Sequence, residues 1–242
     1  MLSGKGDGNG AAMPAFHTVL VQVAREELAR IAGRKDITAG LGHKRHDASL
    51  RAVLKQYWIR GAGRSADAAE AEIDAETAWS AAFISFCVRE AVARAGTPAV
   101  FAFSAGHWEY AGAAIRNGFQ AVPRPAFVGF PPHGAGAETP RLGDIVGWSR
   151  TERIADFADA LKAARATRAQ DRQYASHFDI VVAVATDKAT LIGGNVSNTV
   201  KETTVVLTET LLPRRKFRFG TDKQGNRFIS SGPFLAVVRH LT

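Results

Sequence analysis

The chain is almost without cysteine: Cys87 is the only one in 242 residues. A single thiol excludes an internal disulfide and a cysteine-built zinc site. It leaves the compartment open, because a disulfide-free periplasmic protein is ordinary. No apolar run approaches the roughly 18 residues that cross a bilayer, so no membrane span is expected. The opening stretch, Met1 to Gly10, lacks the apolar centre of a signal peptide. Residues 1–14 read as a flexible leader. The localisation expected is cytoplasmic, or the cell envelope by a route that needs no signal peptide. There is no Walker-type phosphate loop, no His-Glu-x-x-His pair and no Gly-x-Ser-x-Gly elbow. No metal and no cofactor is expected.

Positive charge is in excess: 31 Lys and Arg against 23 Asp and Glu give a net charge of +8. The excess suits anionic partners, whether nucleic acid, a lipid surface or an acidic envelope polymer, and it also serves solubility. Its densest cluster is Arg214-Arg215-Lys216-Phe217-Arg218-Phe219. Basic residues interleaved with aromatics can hold single-stranded nucleic acid. The same alternation fits a strand with one apolar and one charged face, and the strand is the preferred expectation. With no recognised nucleic-acid motif, nucleic acid ranks last among the partners.

The hydrophobic fraction of 46% is that of a globular chain. Helical spacing predicts helices over 15–34, 47–60 with Asp47 as cap, 77–95, and 104–116 with Ser104 as cap. Beyond residue 126 the pattern changes. Strands are expected at 127–130, 143–148, 177–185, 190–192, 203–211, 227–230 and 234–241. Between the second and third of these, residues 151–173 read as a helical insertion or lid. Helices first and an antiparallel sheet after is an α+β pattern. One domain over 15–242 is expected, with a helical extension at 15–65.

Three places can carry chemistry. Ser80 lies at the start of a buried helix, where free backbone N–H groups and the positive end of the helix dipole can hold an oxyanion. Ser80 or Thr77 would equally serve as a plain helix cap. Cys87, two turns deeper, reads as a small core residue, and is the rival nucleophile if Ser80 is inert. His177 opens a strand and shares a face with Asp179 by the two-residue alternation. It could take the proton of Ser80. Asn195, after Gly193-Gly194 at an expected turn, could orient the imidazole, and Asp179 is the alternative orienter. Trp79, His107, Trp108 and Tyr110, together with Asp179, are candidates to line a substrate cleft; aromatics at this spacing also suit a core.

Taken in order, three segments resemble the NlpC and CHAP branches of the papain-like cell-wall peptidases. Trp79-Ser80-Ala81-Ala82-Phe83-Ile84-Ser85 is similar to the helix start that carries the catalytic cysteine. Pro140-Arg141-Leu142-Gly143-Asp144-Ile145-Val146 is similar to the lead-in of the first core strand. Ser176-His177-Phe178-Asp179-Ile180-Val181 is similar to the strand that carries the catalytic histidine. Asn195 falls where a third polar residue belongs. The nearest resemblance is to an uncharacterised CHAP-related bacterial family with Trp-Ser-Ala-Ala-Phe-Ile-Ser and a Gly-Gly-Asn segment. The resemblance implies a papain-like fold, a helix on an antiparallel sheet with a cleft at the helix start. It implies an amidase or endopeptidase acting on peptidoglycan, with catalytic Ser80, His177 and Asn195. The departure is serine in place of cysteine. A hydroxyl is a far weaker acid than a thiol and needs concerted proton removal. The alternative is an inactive module of the same fold that binds an anionic envelope ligand.

Overall fold

The computed structural model describes residues 15–31, 37–38, 44–45, 48–98, 100–120, 122–123, 126–221, 225 and 227–241. The expected leader and the Asp47 cap lie outside the described residues. Among the described residues the α-helices are α1 (Phe16–Ile31), α2 (Ala48–Gln56), α3 (Ala66–Asp74), α4 (Ser80–Ala95), α5 (His107–Asn117), α6 (Phe157–Arg165) and α7 (Ala169–Arg172). A π-helical turn, Tyr57–Gly61, continues α2. Two short pairings are separate from the main sheet: β1 (Ile37–Thr38) with β2 (Lys44–Arg45), and β8 (Arg218–Thr221) with β9 (Arg227–Ser231). The six-stranded sheet comprises β3 (Ala126–Phe130), β4 (Ile145–Ser149), β5 (Ser176–Val184), β6 (Lys188–Val196), β7 (Thr199–Val206) and β10 (Phe234–Leu241). Its strand order is β3-β10-β4-β5-β6-β7 and every pairing is antiparallel. The α+β class expected from the sequence is what the chain adopts.

α4 is the centre. Every residue from Ser80 to Val88 is buried, so the first half of the helix is enclosed on all sides, and its exposed residues, such as Arg89 and Arg94, lie in the second half. Sheet strands β5 and β6 cover one side and α1 another. The close approach depends on small residues. A Cβ at Gly61 would meet the backbone of Ala82 and lie 2.8 Å from the amide nitrogen of Phe86, and one at Gly194 would lie 2.6 Å from Cβ of Phe83. Glycine inside an element costs roughly 0.5–1 kcal/mol. Burying Phe83 and Ile84 completely returns roughly 1.5–3 kcal/mol for each side chain, so contact wins. α4 ends at Gly96, whose φ of 60° is the left-handed cap that glycine adopts without strain.

The N-terminal helices are part of the same core, with Leu20, Val23, Leu50, Tyr57 and Trp58 in one cluster with Phe83 and Ile180. The Tyr57 hydroxyl donates to Glu27 of α1 at 2.5 Å. The Pro-x-x-Gly-Asp segment does structural work. Buried Asp144 accepts from Arg239 Nε (2.9 Å) and Nη2 (2.8 Å) and from the Arg141 backbone N–H (2.7 Å). This ties the start of β4 to β10.

Several boundaries differ from expectation. Residues 66–74 form a separate helix, capped by the Ser65 hydroxyl. The 151–173 segment is two short helices, and its Ala164 carbonyl accepts from Arg116 of α5 at 2.8 Å. Gly193-Gly194 lie inside β6 instead of at a turn. The basic run is only partly a strand: residues 213–217 are a loop, and β8 begins at Arg218.

Candidate active site

The Ser80 hydroxyl is not used as a cap. Trp79 occupies the cap position of α4 without a side-chain bond. Ser80 Oγ instead shares a hydrogen bond of 2.7 Å with Nε2 of His107, the first residue of α5. Two serines set this approach. Ser85 Oγ donates to the Ser104 carbonyl at 2.9 Å and accepts from the Ser104 backbone N–H at 3.1 Å. The loop before α5 is thus pinned to α4 just below Ser80. Ser104 Oγ accepts from the Gly106 N–H at 2.9 Å, and Gly106, not Ser104, is the cap residue.

The far nitrogen of His107, Nδ1, is hydrogen-bonded to the Tyr110 hydroxyl one turn along α5. Burial holds the His107 imidazole well below the usual histidine range, and the His177 ring and the Arg150 charge push the same way. The ring is therefore neutral at neutral pH. Burial pushes the Tyr110 phenol well up, and nearby Asp179 and Tyr174 add to this, so it keeps its proton.

His177 and Asp179 form a second pair across the cluster. His177 Nε2 bonds Asp179 Oδ1 at 2.9 Å, on the shared face that strand alternation predicts. The Asp179 carboxylate is completely buried, and its Oδ2 has no hydrogen-bond partner among the described residues. It fits only because residue 193 is glycine: a Cβ there would run into Oδ1. The His177 ring contacts Trp148 (centroids 4.8 Å) and His107 (5.6 Å). Arg150 lies at the end of this cluster with its Nε buried and unpaired; burial lowers its pKa and the Asp179 carboxylate opposes that.

The structure thus brings Ser80, His107, Tyr110, His177 and Asp179 together. Among the described residues Ser80 bonds His107 and not His177, and the orienting partner of His177 is Asp179 and not Asn195. The Asn195 side chain makes no hydrogen bond among them. Its φ of 59° belongs to a bulge just before the β6–β7 hairpin, whose turn residues Ser197 and Asn198 are also left-handed. Four of the five residues expected to line a cleft are buried, Trp79, His107, Tyr110 and Asp179, and two of these are aromatics of the core. Trp79 is stacked on Tyr57 at 5.7 Å, and Tyr110 is buried against His107 and Phe178. Trp108 is half-buried. Cys87 is fully buried, and burial raises its thiol far above the ordinary range, with the Glu27 charge adding to this.

The sequence assigns no role to Ser85 or Arg150, and it offers Ser104 only as a helix cap. Ser85, a polar residue inside an apolar helical run, was the available signal. Gly193 was read as turn chemistry, although glycine inside a strand pattern also marks close approach. Among the described residues no group of three or more His, Cys, Asp or Glu is arranged to hold a metal, and no helix is long and apolar enough to cross a membrane.

Fold and site define an α+β protein with a serine–histidine pair at the start of its central buried helix. Residues 47–214 match the family described as an uncharacterized protein conserved in bacteria, DUF2272, and the chain belongs to it. Every residue of the cluster falls within the matched span. No curated protein and no solved structure matches the chain.

Proposed function

We propose that this protein is a hydrolase that cleaves amide bonds of peptidoglycan by acyl transfer through Ser80. The observation that carries the chemistry is the 2.7 Å bond between Ser80 Oγ and a neutral His107 imidazole at a helix start. With the His107 proton on Nδ1, donated to Tyr110, Nε2 is free to accept the Ser80 proton. Oγ then attacks the amide carbon while N–H groups at the start of α4 receive the oxyanion. The imidazolium returns its proton to the leaving amine, and water releases the acyl group by the reverse path. Tyr110 plays the orienting part first given to Asn195. His177, held by Asp179, packs edge-on against the His107 ring. The substrate class rests on the resemblance of the three segments to cell-wall peptidases and on the net charge of +8, which suits an anionic envelope polymer.

A second reading is a catalytically silent module on the same fold. The burial of the site favours it: Ser80, His107 and His177 are only 7%, 7% and 5% exposed. Digestion of purified peptidoglycan, with products read by mass spectrometry, tests both. Products that vanish in Ser80→Ala support the hydrolase. Peptidoglycan left undigested by the wild type favours the silent module, and products that persist in the variant reject Ser80 as the nucleophile.

A further inference from the structure

We propose that the pocket bounded by Arg214, Arg215, Lys216 and Arg218 is a binding site for a multiply charged, phosphate-bearing anion. The pocket has a volume of about 550 Å³, and Ser231 completes its lining. Four cations and one hydroxyl face this space with no carboxylate in its wall. None of the four has a carboxylate partner among the described residues, unlike Arg51, Arg94, Arg141 and Arg239 elsewhere. Like charges gathered without counter-charge repel one another, and a bound anion relieves that repulsion. Three of the four are arginines, whose planar forks match phosphate oxygens in pairs.

The site is built and not merely a mobile tail. Arg215 is half-buried, its guanidinium lying 4.5 Å from the centre of the Phe234 ring. Burial lowers its pKa, and the neighbouring Arg218 charge adds to this. Arg218 sits in β8, paired with Ser231 of β9. The β8–β9 hairpin and the loop beside the pocket also reach Ser149 and Arg150. Arg150 Nη1 donates to the Ile229 carbonyl of β9 at 3.4 Å, and Gly232 lies close between the Phe217 ring and the Ser149 carbonyl. A second cavity of about 500 Å³ shares Arg214 and Arg215, so these two side chains line both spaces. Its wall holds one carboxylate, Asp156, which accepts from the Asp159 N–H at the start of α6.

The test is calorimetric binding of pyrophosphate to the full chain at low and at physiological ionic strength, with acetate as the singly charged control. Binding is expected for pyrophosphate, weaker at higher salt. It should weaken at least tenfold in Arg214→Ala/Lys216→Ala/Arg218→Ala, three exposed positions whose loss leaves the melting temperature in place. Ser80→Ala should bind like the wild type, which separates this site from the catalytic reading. A glycerol-phosphate oligomer and a single-stranded oligonucleotide, each run as competitor, distinguish the sources. Displacement by the first alone identifies an envelope polymer, and by the second alone a nucleic acid. Pyrophosphate bound no better than acetate, or equally well by the triple variant, overturns the proposal.

Discussion

Ser80 Oγ and His107 Nε2 are hydrogen-bonded at 2.7 Å although their helices are separate and their sequence neighbourhoods unlike. The proposed hydrolase makes this bond the proton path. His107→Ala should lower turnover of peptidoglycan about 10²–10⁴-fold, the usual contribution of a positioned general base. Ser80→Cys should acquire a thiol that reacts with iodoacetamide faster than buried Cys87. A wild-type rate in His107→Ala, together with loss in His177→Ala, would return the base role to His177.

In the proposed hydrolase, the depressed pKa of His107 would set the pH dependence of activity. Because burial keeps this imidazole neutral below the ordinary histidine range, the acid limb of kcat/KM should fall below about pH 6.5. Tyr110→Phe removes the hydroxyl bonded to Nδ1 and should lower kcat more than it raises KM. An acid limb centred at or above the ordinary histidine value would contradict the assignment.

The same group links stability to pH. Unfolded, His107 binds a proton near pH 6.5, whereas folded it does so only at lower pH. Its stabilising contribution is complete above the unfolded value and is lost as pH falls toward the folded one. The slope from this group cannot exceed about 1.4 kcal/mol per pH unit. Denaturant melts of wild type and His107→Gln between pH 7 and 5 should show the shallower slope in the variant.

Gly193→Ala tests the fit of Asp179. The new methyl must displace a fully buried carboxylate or part β5 from β6, so a loss of about 1–3 kcal/mol is expected, as for overpacking elsewhere. Gly63→Ala, at an open surface position with positive φ, measures the cost of backbone strain with no steric conflict. Thermal melts of both separate steric conflict from backbone strain.

Asp144→Ala should be costly for another reason. It leaves Arg239 buried beside β4 with only Glu138 and the Thr139 carbonyl for company. A loss of about 3 kcal/mol is expected in urea unfolding, with Asp144→Asn intermediate because it keeps an acceptor for the guanidinium.

Much of this was legible beforehand. The apolar period of 3.6 placed α1, α4 and α5, and the β-branched runs after residue 126 placed the sheet strands, because those patterns follow from helix and strand geometry alone. The His177–Asp179 face was legible for the same reason. The insertion split into α6 and α7 without a strong periodic signal to mark the break. The basic run before Arg218 keeps an alternating exposure but stays a loop, because residues 213–217 pair with no strand among the described residues.

By itself, then, the sequence determined the element types, the α+β class, the place of Ser80 at a helix start and the shared face of His177 and Asp179. Each of these is local, set by backbone period and side-chain direction. Only the tertiary structure decided which histidine reaches Ser80, what orients it, and why residues 193 and 194 are glycines. Those depend on how closely α4, α5, β5 and β6 approach one another, which the Ser85–Ser104 bonds, the buried Asp179 and the Phe83 contact set together.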